Sequence, residues 1–202
     1  MEGIVFYWVA WSFWVMVTFF TKKSSNYRFK ASFCILVLII LKPFDIMFMD
    51  LKINSAIIFL YLFTLFQVMM LNRRANFYIF ITSFIVMLAY DSFLLFELYD
   101  PVWVMFNRNW MIALLLVYLC VLLHSDRVHR FYTVLIGVAQ GECLYSMILK
   151  KLNFSYPIGT DLFFDAVAAV LALLFLWILI ESVLVMVEHH TSQQRRGREK
   201  ST

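Results

Sequence analysis

Apolar runs of about twenty residues, the length that carries a helix across a bilayer, recur along almost the whole of this 202-residue chain. At ~1.5 Å rise per residue, seven segments fit that ruler: 4–21, 29–49, 53–71, 77–98, 101–123, 131–149 and 161–187. Hydrophobic residues make up 63% of the chain and charged ones only 15%. Mean hydropathy is +0.82. Soluble domains are about half apolar and a quarter charged, so the expected fold class is all-α: a polytopic membrane helix bundle of seven transmembrane helices. With five glycines and three prolines, little material is left for linkers. The expected organisation is one bundle over 1–190 and a disordered, basic cytoplasmic tail over 191–202.

The net charge of +4 would suggest nucleic acid in a soluble protein. Here the basic residues sit in short loops, where they orient helices, and no nucleic-acid partner is expected. One side of the bundle collects Lys22, Lys23, Arg28, Lys30, Arg73, Arg74, Arg127, Arg130, Arg195, Arg196, Arg198 and Lys200. The other collects Lys42, Lys52, Arg108, Lys150 and Lys151. The positive-inside rule then puts the N-terminus outside and the C-terminus in the cytoplasm. Cys34, Cys120 and Cys143 lie inside apolar segments and do not read as a disulfide framework.

The segment 131–149 is apolar enough to cross, yet near its middle it holds Gly137, Gln140, Gly141 and Glu142. A carboxylate at that depth costs several kcal/mol unless it is protonated, paired or hydrated, so this helix must be surrounded by others. Gly137 and Gly141, four apart, share a face and let a neighbouring backbone approach. Ala168 and Ala172 offer a second small-residue face that could receive it. Two irregular spots interrupt the pattern. Pro43 should kink the second span, which must continue through Lys42 and Asp45 to be long enough. Asp100-Pro101 reads as a helix start, although Asn107, Arg108 and Asn109 then fall inside the fifth span.

Measured from the basic side at ~1.5 Å per residue, Lys42 lies at ~20 Å, Asp45 at ~24 Å, Asp91 at ~21 Å, Arg108 at ~24 Å and Glu142 at ~16 Å. Four charges, two of each sign, therefore share one layer above Glu142. They could form an internal ion-pair cluster with Tyr90, Tyr145 and Gln140 as hydrogen-bond partners, or Lys42, Asp45 and Arg108 could snorkel to the headgroups. Glu97, Asp100, Asp161 and Asp165 read as a solvated rim. No metal-binding or nucleophile motif and no Gly-rich phosphate loop is present. His124, Asp126, His129, His189 and His190 sit at the basic edge as solvated loop residues, so no catalytic residue, metal or cofactor is expected.

The opening residues MEGIVFYW, the seven closely spaced apolar spans and the basic tail resemble the YphA family of bacterial membrane proteins from Bacillus-type endospore formers. The resemblance implies a multi-pass protein of the cell membrane and brings no catalytic residues with it. Two functions compete. In the first, the protein is a non-enzymatic structural or interaction component whose partners are the bilayer and another membrane or envelope protein. In the second, it is a small ion- or proton-coupled transporter or channel that uses Glu142.

Overall fold

The computed structural model describes the backbone of residues 3–21, 26–48 and 51–199, and the side chains of 3–21, 28–47 and 51–188. Seven helices are present among the described residues: α1 (Ile4–Phe20), α2 (Asn26–Leu41), α3 (Ser55–Met69), α4 (Arg73–Tyr99), α5 (Arg108–Leu123), α6 (Arg127–Lys151) and α7 (Asp161–Glu199). A hairpin of β1 (Asp45–Phe48) and β2 (Leu51–Asn54) joins α2 to α3, and a 3-10 turn, Pro101–Trp103, precedes α5. The fold is all-α apart from this hairpin. Three helices are long and apolar enough to cross a membrane by length and composition: Arg73–Tyr99, Arg127–Lys151 and Asp161–Glu188. Ile4–Phe20, Ser55–Met69 and Arg108–Leu123 are apolar but shorter.

Two expectations from the sequence need correction. The second span does not continue to residue 49. At its C-terminus the carbonyls that a longer helix would have used are taken by side chains from the start of α3. Asn54 Nδ2 donates to Lys42 O at 2.7 Å, and the Ser55 hydroxyl faces both Leu41 O and Phe44 O at 2.7 Å. With Pro43 unable to donate, the chain turns into the hairpin, pairing Asp45 with Asn54 and Phe48 with Leu51. The fifth helix starts at Arg108 instead of Pro101. Asp100 caps only the 3-10 turn, while Asn107 Oδ1 accepts from the Asn109 N–H at 3.0 Å and starts α5. The last helix, α7, runs from Asp161 to Glu199. Residues 200–202 of the expected tail lie outside the described ones.

The core is built chiefly from α4 against α6 and α5 against α7, with α1 and α3 packed on the flanks. The glycine face of α6 meets α4. A Cβ on Gly137 would lie 2.7 Å from Val86 Cγ1 and 2.8 Å from Ser83 O, and one on Gly141 would lie 2.7 Å from Tyr90 Cδ1. The helices approach closely because both positions lack a side chain. The Ala168 and Ala172 face is not what the glycines meet: Ala168 is buried in the core and Ala172 half-buried on α7, whose main neighbour is α5.

Residues 152–160, between α6 and α7, fold back onto the hairpin. Asn54 N–H donates to Ile158 O at 2.9 Å and Ile158 N–H to Lys52 O at 2.8 Å, a parallel bridge on the free edge of β2. Gly159 follows with φ of 81°, a left-handed conformation that glycine adopts without strain. A Cβ there would also meet Asn54 Cβ at 2.9 Å.

Candidate functional site

Glu142 is 0% exposed. Its Oε2 accepts from the Tyr90 hydroxyl of α4 at 2.9 Å, and its Oε1 accepts from the Gly159 N–H at 3.2 Å. The Tyr156 hydroxyl lies in the same loop and pairs with the Thr160 hydroxyl at 3.2 Å. Tyr90 and Gly159 are both donors, which matches the acceptor oxygens of a carboxylate. The folded-back loop is what delivers the Gly159 N–H. Its own position is fixed by Ile158 on β2, by Ser146 Oγ donating to Tyr156 O at 2.8 Å, and by the Tyr156 ring packed edge-on against Tyr145 at 5.1 Å. Glu142 therefore joins α6, α4 and the 156–160 loop at one point.

Asp91 stands beside this point and differs from it. It is 3% exposed, and neither carboxyl oxygen has a hydrogen-bond partner. Its Oδ1 lies 3.3 Å from where a Cβ on Gly141 would be, so the group faces α6 next to Glu142.

The other three charges expected in one cluster are apart. Lys42 is buried, with Nζ 2.7 Å from Asp161 Oδ1 and over the Tyr7 ring at 4.5 Å. Asp45 lies on the hairpin, 2.9 Å from Lys52 Nζ, and that ammonium holds its carboxyl below the usual range. Arg108 pairs with Glu97 at 2.9 Å, across from α5 to α4. A shared height along the bundle did not bring them together, because height says nothing about which way each side chain points. Of the expected helpers, Tyr90 reaches Glu142, Gln140 donates to Tyr61 at 3.1 Å, and Tyr145 packs on Tyr156.

The expected solvated rim is largely structural. Asp165 is buried and accepts from the Gly3 and Phe6 N–H groups at 2.8 Å each, closing the start of α1 onto α7. Asp161 holds Lys42. These roles, like that of the 156–160 loop, depend on contacts over more than a hundred residues of chain or on backbone donors, and no local pattern announces them. At the basic end, Arg130 donates to Glu181 Oε1 and to His124 O at 2.7 Å each. His124, expected as a solvated loop residue, is buried instead, its Nε2 2.8 Å from the hydroxyls of both Thr82 and Thr133. Among the described residues, no three His, Cys, Asp or Glu side chains gather closely enough to hold a metal ion.

Buried carboxyls held by internal donors, inside helices with apolar outer surfaces and of crossing length, define an integral, multi-pass membrane protein of the cell membrane. The model of the YphA-like integral membrane protein family matches residues 2–200, and the chain belongs to that family. It is 30% identical over 175 residues to the "Uncharacterized protein YphA" of Bacillus subtilis strain 168, covering 87% of this chain and 86% of the relative. No solved structure matches the chain.

Proposed function

We propose that the protein is a non-enzymatic membrane component that works by binding another membrane or envelope protein. In this reading it has seven crossings, its N-terminus outside and its basic loops in the cytoplasm. The supporting observation is Glu142: this fully buried acid is held by the Tyr90 hydroxyl and the Gly159 N–H. An acid so held joins α6 to α4 and to the 156–160 loop, a structural use of the charge. The last apolar turns of α7 supply a surface for a partner helix, since Val183, Leu184, Val185 and Met186 are exposed on every side. A photo-crosslinking side chain at Leu184 should then give one defined protein adduct in native membranes, suppressed by charged substitution at Val183. Adducts to lipid alone would overturn the proposal.

One observation favours a second reading, a small proton- or cation-coupled transporter. Asp91 is buried beside Glu142 with no hydrogen-bond partner, and buried ionisable groups in membranes mark ion pathways. Flux measured on the purified protein in proteoliposomes discriminates the two. The binding reading expects none above empty liposomes, whereas flux abolished by Asp91→Asn or Glu142→Gln would establish transport.

A further inference from the structure

Four of the helices proposed as crossings, α1, α2, α3 and α5, are too short to cross alone; α1, with 17 residues, reaches about 26 Å. With 16 residues each in α2 and α5, their length is about 24 Å, and the 15 residues of α3 reach about 22 Å. A hydrocarbon core is about 30 Å thick. The shortfall of α2, α3 and α5 can be located. Tyr90, in the second half of α4, bonds Glu142, in the second half of α6, and Glu142 holds the 156–160 loop, which is bridged to the hairpin between α2 and α3. Segment 101–107, between α4 and α5, therefore belongs to the same end of the bundle as the hairpin.

At that end the connections are unlike loops in water. Segment 101–107, PVWVMFN, contains no ionisable residue. Val102, Met105 and Phe106 are exposed, as are Phe44, Ile46 and Met47 at the hairpin, with Met47 at 84% and Met105 at 83%. Segment 101–107 is held in place from beneath: Trp103 packs on Phe93 with ring centres 5.2 Å apart, and Arg108, next in the chain, is tied to Glu97. The backbone is also largely closed. β2 is paired on one edge by β1 and bridged on the other by Ile158, leaving the outer edge of β1 for water or headgroups, as the interface requires. Lys52, half-exposed and paired with Asp45, has the reach to place its ammonium among phosphates.

We propose that the β1–β2 hairpin and segment 101–106 are seated at the hydrocarbon–headgroup boundary of one leaflet, where their apolar side chains complete crossings that α2, α3 and α5 leave roughly 6–8 Å short. The ligand of this surface is phospholipid. The seat rests on the proposal that these three helices cross.

The test uses the unmodified protein in nanodiscs made with phosphatidylcholine that carries a photoactivatable diazirine, either next to the acyl ester or at the chain terminus. Adducts are mapped by mass spectrometry. Positions 46–47 and 105–106 should be labelled several-fold more by the shallow probe than by the deep one. Leu62 and Leu114, exposed at the middle of α3 and α5, should show the reverse. Labelled Leu62 and Leu114 with no adducts at 46–47 and 105–106 would overturn the seat, whether a thinned bilayer leaves these segments in water or a second copy covers them. No label at Leu62 and Leu114 would overturn the crossings themselves.

Discussion

Tyr90 and Glu142 show how one residue of the chain is used from several directions. Hydrogen bonds to a buried charged group are worth about 1.5–3 kcal/mol each, and leaving one unmade costs the desolvation of the group left behind. Glu142→Gln replaces one acceptor oxygen by an NH2 that must face a donor, so it should lower stability by about 1–3 kcal/mol, read as a lower melting temperature in nanodiscs. Asp91→Asn should leave the melting temperature unchanged or raise it, because the Asp91 oxygens make no hydrogen bond to lose. A drop as large as that of Glu142→Gln would show that Asp91 holds something in the native membrane. His124 carries a pH dependence. Burial, helped by the His129 and Arg130 charges and opposed by Asp126, holds its imidazole below the ordinary range. Its contribution to stability is complete above the unfolded value of about 6.5 and is lost as pH falls through the lower, folded one. The melting temperature should therefore fall on acidification from about pH 7 to about pH 5, and His124→Asn should flatten that fall.

At the scale of elements, the α4–α6 contact is the most extensive in the bundle, and Gly137 and Gly141 let it close. Gly137→Ala places a methyl 2.8 Å from the Ser83 carbonyl, a backbone atom that cannot step aside. The expected loss is about 1–3 kcal/mol, measured in the same melting experiment, whereas Ala172→Gly on half-buried α7 should cost less than 1 kcal/mol, close to the helix-propensity difference alone. The glycine spacing was legible in the sequence because close packing leaves a local mark four residues apart. Its partner was not, since nothing in Ala168 and Ala172 distinguishes them from the Ser83–Val86 surface that meets the glycines. The hairpin was missed for a related reason. Pro43 can kink a helix or end it, and the outcome was decided by Asn54 and Ser55, whose side chains take the carbonyls at the end of α2. The charged layer failed as a cluster because rise per residue gives height and leaves direction around the axis open, so Lys42 found Asp161 and Arg108 found Glu97.

For the whole molecule, helix number followed from apolar run length, a property that lipid imposes on each segment separately. Orientation is a separate claim with its own check. Reporter fusions after Arg74 and after Arg130 should be active only as cytoplasmic reporters, and fusions after Lys52 and after Lys151 only as exported ones; the opposite pattern would invert the molecule. At the other end Glu142 ties α4 to the 156–160 loop, adding to the Ile158 bridge, the Ser146 hydrogen bond and the Tyr145 ring contact that also place the loop. Hydrogen exchange of the backbone amide at Gly159, followed by mass spectrometry in nanodiscs, tests that most directly. Exchange should be slow in the native chain and faster by orders of magnitude in Glu142→Gln, with the α4 and α6 amides little changed. Fast exchange in the native chain, or slow exchange untouched by the substitution, would contradict the role given to Glu142.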